Sequence, residues 1–173
     1  MSKVKEASSP IIDSILAEMT QEAQTTRKLL ERVPGDKLSW RPHPKSYSLG
    51  QLALHVARIP GAISGIAILD GMEAPNFQQA EATSVNELLE TLDQGIATAR
   101  ENLSGLGDAR LHQQWDLKRG EQVVFSIPRI AVLRSLMLNH YYHHRGQLSV
   151  YLRLLDVPVP SIYGPSADDN PFA

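Results

Sequence analysis

The hydrophobic pattern of the chain predicts a first helix near the amino terminus. Ser9 and Pro10 form a typical helix start, because a serine side chain can cap free backbone amides and proline suits the first helical position. Apolar residues then recur at steps of three, four and seven positions as far as Val33, the spacing of side chains on one helix face. Pro34 and Gly35 follow, so the helix is expected to end at about Val33.

Two further helices are predicted where the sequence has the form of a capping box. Ser48–Gln51 and Ser84–Glu87 each place a serine three residues before a glutamine or glutamate, so that the two side chains can satisfy each other's terminal backbone amides. Apolar positions at steps of three and four follow each box. Pro60 lies inside the second helical pattern and is expected to kink the helix or loosen its hydrogen bonds. The third pattern ends before Gly105.

The pattern changes between helix 3 and the last helix. The turn-like residues Lys118–Gly120 lie between apolar residues without helical period, which predicts a short β-hairpin or an extended loop. After Ser126 and Pro128 the spacing of three and four returns and predicts a fourth helix to about Leu155. The expected fold class is therefore all-α, a four-helix bundle with the hairpin or loop between helices 3 and 4.

Composition limits the domain organisation and the classes of partner. The chain has 173 residues, of which 42% are hydrophobic, which is typical of one domain with a sizeable core, so residues 1–173 are expected to form a single domain. The 17 basic and 19 acidic residues give a net charge of -2 without a strong basic segment. This balance argues against nucleic acid and anionic membranes as partners.

The absence of cysteine and of a targeting segment narrows the chemistry and the location. With no cysteine, the chain cannot form a disulfide framework, a CxxC zinc site or a cysteine nucleophile. Residues 1–9 lack the apolar stretch of a signal peptide, and the longest apolar run, Ile59 to Leu69, is too short to span a bilayer. A cytoplasmic protein is the expectation.

Three of the six histidines fall on predicted buried faces. His140 and His144 lie four residues apart on the apolar stripe of helix 4, so their imidazoles can reach one ion from the same face. His55 lies on the corresponding stripe of helix 2. Two interpretations remain open: the three are hydrogen-bonded core histidines, or they are ligands of one divalent transition-metal ion, which would satisfy all three buried rings.

Other polar residues near this stripe have less defined roles. His143 lies toward the edge of the stripe, which suggests a supporting or interface role and not direct coordination. His43 and His112 fall in connecting segments and are expected at the surface. Arg145 and Gln147 are placed to hydrogen-bond the carboxyl-terminal loop or a substrate.

Several segments resemble one known family. The segment Asn139–Leu148, with the sequence NHYYHHRGQL, resembles the signature helix of the DinB/YfiT-like family of proposed metalloenzymes. Trp40–Ser46, Leu54–Ala57 and Ile162–Asp168 are also similar to that family, so the resemblance covers nearly the whole chain.

The resemblance implies a fold, a metal site and partners. It implies an up-and-down four-helix bundle, often dimeric, in which a helix 2 histidine and an HxxxH pair on helix 4 hold a metal. The matching positions are His55, His140 and His144. The implied cofactors are a divalent transition metal, with zinc or nickel favoured over iron or copper, and a low-molecular-weight thiol. The implied partners are a small-molecule substrate and a second copy of the chain.

Three functions are compatible with these observations. The leading hypothesis is a metal-dependent enzyme that activates a small thiol for transfer to an electrophile, with His143 or Tyr142 as candidate proton carriers. One alternative is a hydrolase that uses metal-bound hydroxide. The other is a non-catalytic metal-binding or stress-response scaffold whose ion only stabilises the fold.

Overall fold

Serine caps start three long helices in the computed structural model, which describes residues 9–76 and 78–173. Helix α1 (Pro10–Leu30) begins after Ser9, whose Oγ accepts from the amides of Ile11 and Ile12, as predicted. It ends three residues earlier than expected, in a tight turn in which the amides of Arg32 and Val33 donate to carbonyls three residues back. The charged residues 1–8, which entered the signal-peptide argument, lie outside the described residues.

The two predicted capping boxes differ in the structure. Helix α2 (Leu49–Ala67) has the complete box, with Ser48 and Gln51 bonded in both directions. A short 3-10 turn, Gly35–Lys37, precedes it, and α2 continues through Pro60 without ending. Helix α3 (Val85–Leu103) has only half of its box. Ser84 caps the Glu87 amide, but the Glu87 carboxylate accepts from the backbone amide and hydroxyl of Thr83 instead.

The predicted fourth helix is built from consecutive helical segments of different type. After the short α4 (Asp108–Leu111), helix α5 (Arg129–Ala131) leads directly into a π-helical segment (Val132–Asn139), and α6 (His140–Leu154) follows at once. We refer to residues 129–154 together as the composite helix. The predicted bounds of the fourth helix were therefore close to those of the composite helix, but the sequence analysis did not predict the π-helical segment.

A three-stranded mixed sheet makes the all-α four-helix-bundle prediction wrong. Strands β2 (Gln114–Arg119) and β3 (Gln122–Pro128) form the antiparallel hairpin, with one irregularity in register between Leu117 and Lys118. Strand β1 (Gly71–Glu73), directly after α2, adds to β2 in parallel, so the order is β1-β2-β3. A Cβ at Gly71 would lie 2.3 Å from the Asp116 carbonyl oxygen, so only glycine permits this approach. The chain is mostly helical but carries a sheet.

The buried arginine Arg129 joins the sheet, α2 and the composite helix. Its guanidinium donates to the carbonyls of Ala67 at 2.6 Å, Leu69 at 2.7 Å and Arg110 at 2.7 Å, and to Asp70 Oδ1 at 2.9 Å. These carbonyls include those at the carboxyl end of α2, where unpaired acceptors would otherwise remain. The start of the composite helix is therefore held against the end of α2.

The buried apolar side chains form two clusters. One lies between α2, α3 and α6 and includes Leu52, Leu92 and Leu148. The other joins α1, α3, the π-helical segment and the sheet, and includes Met19 and Trp115. Among the described residues, no helix combines the length and apolarity needed to cross a bilayer.

Candidate metal centre

Helices α2 and α6 bring three histidines to one point. His55 lies in the second turn of α2, while His140 begins α6 and His144 follows one turn later. One ring nitrogen from each lies within 4.8 Å of the others, and Nε2 of His55 is 3.3 Å from Nε2 of His140. Within residues 9–76 and 78–173, no carboxylate joins this group. All three rings are half-buried, so the group lies at the margin of the core. We refer to these three residues as the histidine triad.

Two of the rings are oriented by hydrogen bonds from outside the triad. His140 Nδ1 lies 3.3 Å from the Leu136 carbonyl oxygen in the π-helical segment, and His144 Nδ1 lies 2.7 Å from Gln147 Oε1. Because both oxygens only accept, each Nδ1 carries the proton and each neutral ring leaves the lone pair on Nε2. In His140 and His144, the nitrogen that could coordinate an ion at the centre of the triad is therefore Nε2.

The third ring is supported by residues that the sequence did not indicate. The Gln79 side chain hydrogen-bonds His55. Gln79 itself is bound to Gln51 of α2 by two hydrogen bonds. The Gln51 side-chain Nε2 donates to the Gln79 backbone carbonyl at 3.1 Å, and the Gln79 side-chain Nε2 donates to the Gln51 backbone carbonyl at 3.3 Å. No periodic pattern could have identified Gln79, because it lies in an irregular segment.

The triad favours neutral imidazoles. Burial, with added repulsion from His144 and His140, lowers the pKa of His55 to about 4. Burial is also the main cause that lowers the pKa of His140 and that of His144. The rings are therefore neutral near pH 7, which is the form that coordinates metal ions.

The donor set fits a transition-metal ion. Two nitrogens on one tetrahedral ion, with bonds of ~2.0–2.1 Å, lie roughly 3.3 Å apart. The two Nε2 atoms of His55 and His140 have this separation, 3.3 Å. Imidazole nitrogens suit zinc, nickel, copper and iron, whereas magnesium and calcium prefer oxygen.

The other residues named from the sequence have different positions. His143 is exposed, with its ring centroid 4.9 Å from that of His144. The Tyr142 hydroxyl donates to Glu18 of α1 at 2.9 Å, so its proton is used in a contact with α1. Arg145 is 1% exposed and bonds the hydroxyl of Tyr163 in the carboxyl-terminal segment, one of its two anticipated partners. Gln147 bonds His144, a role that helical spacing could have suggested.

The two remaining histidines lie at the surface, as expected. His43 accepts the Lys45 amide in the exposed loop before α2, and His112 is exposed at the end of α4. Neither side chain belongs to the triad.

A cleft of about 240 Å³ opens beside His144. Loop residues 45–47 line one side of it, and His144, Gln147 and Tyr151 of α6 line the other, together with Leu52 of α2. A small molecule in this cleft would contact the triad through His144.

Comparison with known families and curated proteins gives one consistent result. The model of the family described as DinB family matches residues 1–170. The uncharacterized protein YrdA of Bacillus subtilis (strain 168) is 29% identical over 162 residues, which cover 91% of either chain. The uncharacterized protein YjoA of the same organism is 26% identical over 145 residues, covering 82% of this chain and 88% of that protein.

The chain is also similar to solved structures of DinB-like proteins. A DinB-like protein from Bacillus cereus ATCC 10987 is 27% identical with a TM-score of 0.69, covering 87% of this chain and 97% of its own. The structure of the DinB-like protein YjoA from Bacillus subtilis has a TM-score of 0.64 at 20% identity, covering 83% and 92% of the two chains, which supports the fold alone.

Proposed function

The chain belongs to the DinB family, and from this membership and the histidine triad we propose that it is a metal-dependent enzyme acting on a small molecule. His55, His140 and His144 would hold one divalent transition-metal ion, zinc or nickel before iron or copper. The proposed reaction is the transfer of a small thiol to an electrophile.

The convergence of the three ring nitrogens is the observation that carries the metal proposal. The Nδ1 atoms of His140 and His144 lie at hydrogen-bond distance from oxygens outside the triad, so each ring retains its Nε2 lone pair for the centre. The Nε2 atoms of His140 and His55 are 3.3 Å apart. One ring nitrogen from each of the three residues lies within 4.8 Å of the others, so a single cation could contact all three rings. A shared metal ion would satisfy all three half-buried rings at once.

The number and charge of the ligands favour catalysis over a purely structural ion. Structural zinc sites are usually saturated by four protein ligands, whereas catalytic sites have three and an open position. The triad supplies three neutral ligands among the described residues, and the cleft beside His144 gives a small molecule access. When bound, such an ion supplies Lewis acidity that lowers the pKa of a thiol or water ligand toward neutral.

The chain's own residues would position the reactants and carry the proton. Gln147 and the Leu136 carbonyl keep the rings of His144 and His140 in one tautomer. In the proposed transfer, the thiol releases its proton, the sulfur forms a bond to the electrophilic carbon, and the leaving group departs with its electron pair. His143 is exposed beside His144 and is placed to pass the released proton to solvent.

The test combines metal analysis with an activity assay. Untagged protein would be analysed for bound metals and assayed for conjugation of small thiols to an electrophilic aryl halide, before and after chelation. We expect wild-type protein to carry metal and to lose turnover on chelation. His140→Ala should lose both metal and turnover while keeping its helical circular dichroism, because the apolar clusters remain intact. His112→Ala, which removes an exposed imidazole outside the triad, is the matched control.

The contrary outcomes are distinct. Retention of metal by His140→Ala would contradict the ligand assignment. Metal-dependent ester hydrolysis without thiol transfer would replace the proposed reaction by hydrolysis. Loss of the fold on chelation, with no metal-dependent turnover, would replace the enzyme by a scaffold with a structural ion.

A further inference from the structure

We infer that the cleft beside His144 binds a small organic anion and that Lys45 recognises its negative charge. The inference rests on the proposed function, because it names the class of substrate that would reach the histidine triad. Its evidence comes mainly from the shape, charge and rigidity of the cleft, which His144 shares with the triad.

The size of the cleft sets the size of the ligand. Pockets for drug-sized ligands enclose ~300–1,000 Å³, and this cleft is smaller, about 240 Å³. It therefore suits a molecule of a few heavy atoms, or one end of a larger molecule. Because His144 lines the cleft, the bound end lies against the triad.

The charge of the lining residues favours a ligand of negative charge. Lys45 is the single ionic side chain among the residues that line the cleft, and no aspartate or glutamate lines it. Among the described residues, Lys45 takes part in no ion pair, so its ammonium group is available to a ligand. A lysine beside neutral histidines favours an anionic oxygen group over a neutral or cationic one.

The loop that carries Lys45 is fastened to α6. The Ser46 amide donates to the His43 carbonyl at 2.9 Å, which closes a turn around Lys45. The Tyr151 hydroxyl donates to the Tyr47 carbonyl at 3.3 Å, across the cleft from α6 to the loop. These bonds hold the Lys45 backbone in position relative to α6, which lowers the ordering cost of binding.

The apolar part of the lining indicates the rest of the ligand. Tyr47, Leu52 and Tyr151 provide aromatic and aliphatic surface beside Lys45 and His144. The Tyr47 side chain is 40% exposed and can cover a bound molecule. The matching ligand has a carboxylate at one end and a short apolar chain that leads toward the triad.

Two thiols that differ in charge provide the test. The probes are 3-mercaptopropionate and its methyl ester, which have the same thiol and nearly the same length. Binding would be followed by the fluorescence of Trp40, whose ring contacts the Tyr151 ring edge-on with centroids 5.7 Å apart. Trp115 is fully buried and bonded to the Ile66 carbonyl, so it should contribute a constant background. Titrations would use both chelator-treated and zinc-loaded protein.

We expect the acid to bind about tenfold more tightly than the ester. The binding free energy of a hydrogen bond to a charged group corresponds to about this difference in affinity. Lys45→Gln should remove this preference and leave the affinity for the ester unchanged. Lys45→Arg should retain most of the preference. Lys28→Gln, which removes an exposed lysine of α1, is the matched control and should bind both probes as wild type does.

Equal binding of acid and ester by wild-type protein would overturn the inference, and so would a Lys45→Gln variant that retains the preference. Failure of the proposed function looks different. If Lys45-dependent binding of the acid persists in protein that shows no thiol transfer, the inference stands and the enzyme proposal falls. If neutral and anionic thiols are turned over equally by wild type and Lys45→Gln, the enzyme proposal stands and the inference falls.

Discussion

The orientation of the triad depends on single acceptor atoms next to it. His144 owes its tautomer to Gln147 Oε1 at 2.7 Å, and His140 owes its tautomer to a backbone carbonyl. A backbone acceptor cannot be removed by substitution, but Gln147 can. Hydrogen bonds of this kind fix ring orientation and raise ligand basicity in metal sites.

Replacing Gln147 by leucine should weaken metal binding. Without Oε1 the His144 ring can rotate and place its proton on either nitrogen, so we expect zinc affinity to fall by ~10–100-fold. Gln147→Glu retains an acceptor and should bind zinc at least as tightly as wild type. Gln21→Leu, at an exposed position of α1, should have no effect. Competition with a chromophoric chelator measures these affinities, and equal affinity of Gln147→Leu and wild type would remove the role assigned to Gln147.

The lowered pKa values make the stability of metal-free protein depend on pH. The pKa of His55 is lowered to about 4, and those of His140 and His144 are lowered, from an ordinary value of 6.5. Between these values the unfolded chain binds more protons than the folded chain, so acid favours unfolding. We therefore expect the melting temperature to fall as the pH decreases from 6.5 to 4.

A variant identifies the group responsible for this pH dependence. His55→Asn removes the imidazole with the lowest pKa and should show a smaller decrease in melting temperature over the same pH range. The measurement is thermal unfolding of chelator-treated protein at several pH values. An unchanged pH dependence in His55→Asn would show that other groups cause it.

At the scale of elements, the position of His55 depends on how closely α2 approaches α3. The crossing occurs at Gly61 and Gly95, and a Cβ built on Gly61 would lie 2.9 Å from the Gly95 Cα. A Cβ on Gly95 would lie 3.2 Å from the Ala57 carbonyl oxygen. Backbone atoms cannot move aside as flexible side chains do, so the crossing requires glycine at position 61 and leaves little room at position 95.

Gly61→Ala should therefore destabilise the protein. The clash forces the helices apart, which costs about 1–3 kcal/mol of unfolding free energy in a well-packed core. Gly65→Ala is a matched control in the same helix, because the nearest atom to its Cβ would be Asn102 Nδ2 at 3.9 Å. Alanine is the better helix former by roughly 0.5–1 kcal/mol, so Gly65→Ala should stabilise slightly. Urea unfolding compares the two, and stabilisation by both would disprove the close crossing.

At the scale of the whole molecule, a buried ion pair connects distant parts of the chain. Arg145 of α6 is 1% exposed and pairs with Glu22 of α1 at 2.5 Å. The Tyr163 hydroxyl of the carboxyl-terminal segment accepts from Arg145 and donates to Glu22 at 3.0 Å. Three regions far apart in sequence therefore meet on the residue that follows His144.

Glu22→Gln should destabilise the molecule strongly. It leaves the buried Arg145 charge without its counter-charge, and we expect a loss of roughly 3 kcal/mol, at the low end for broken buried pairs, because the Glu22 carbonyl and Tyr163 still accept from Arg145. Arg153→Ala breaks the more exposed pair with Asp168 and should destabilise the protein much less, because solvent screens that pair. Denaturant unfolding of both variants provides the comparison, and equal losses would contradict the importance of burial.

Features that depend on residues close together in the chain could be predicted from the sequence. Helix starts at Ser9, Ser48 and Ser84 follow from capping bonds that span two or three residues. The closeness of His140 and His144 follows from one helical turn, and the apolar stripes predicted which helix faces are buried. These interactions are local, so their partners can be read directly from spacing.

Features that depend on contacts between distant parts of the chain became visible in the folded structure. The parallel pairing of Gly71 with Asp116 joins residues on opposite sides of α3, and no local pattern in the short β1 indicates it. The π-helical segment has the same apolar spacing as an α-helix, so the contact of its Leu136 carbonyl with His140 could not be foreseen. Gln79 and the Lys45 cleft likewise arise from irregular segments folded against α2 and α6. Long-range contacts such as these are set by packing of the whole chain, which spacing along the sequence does not encode.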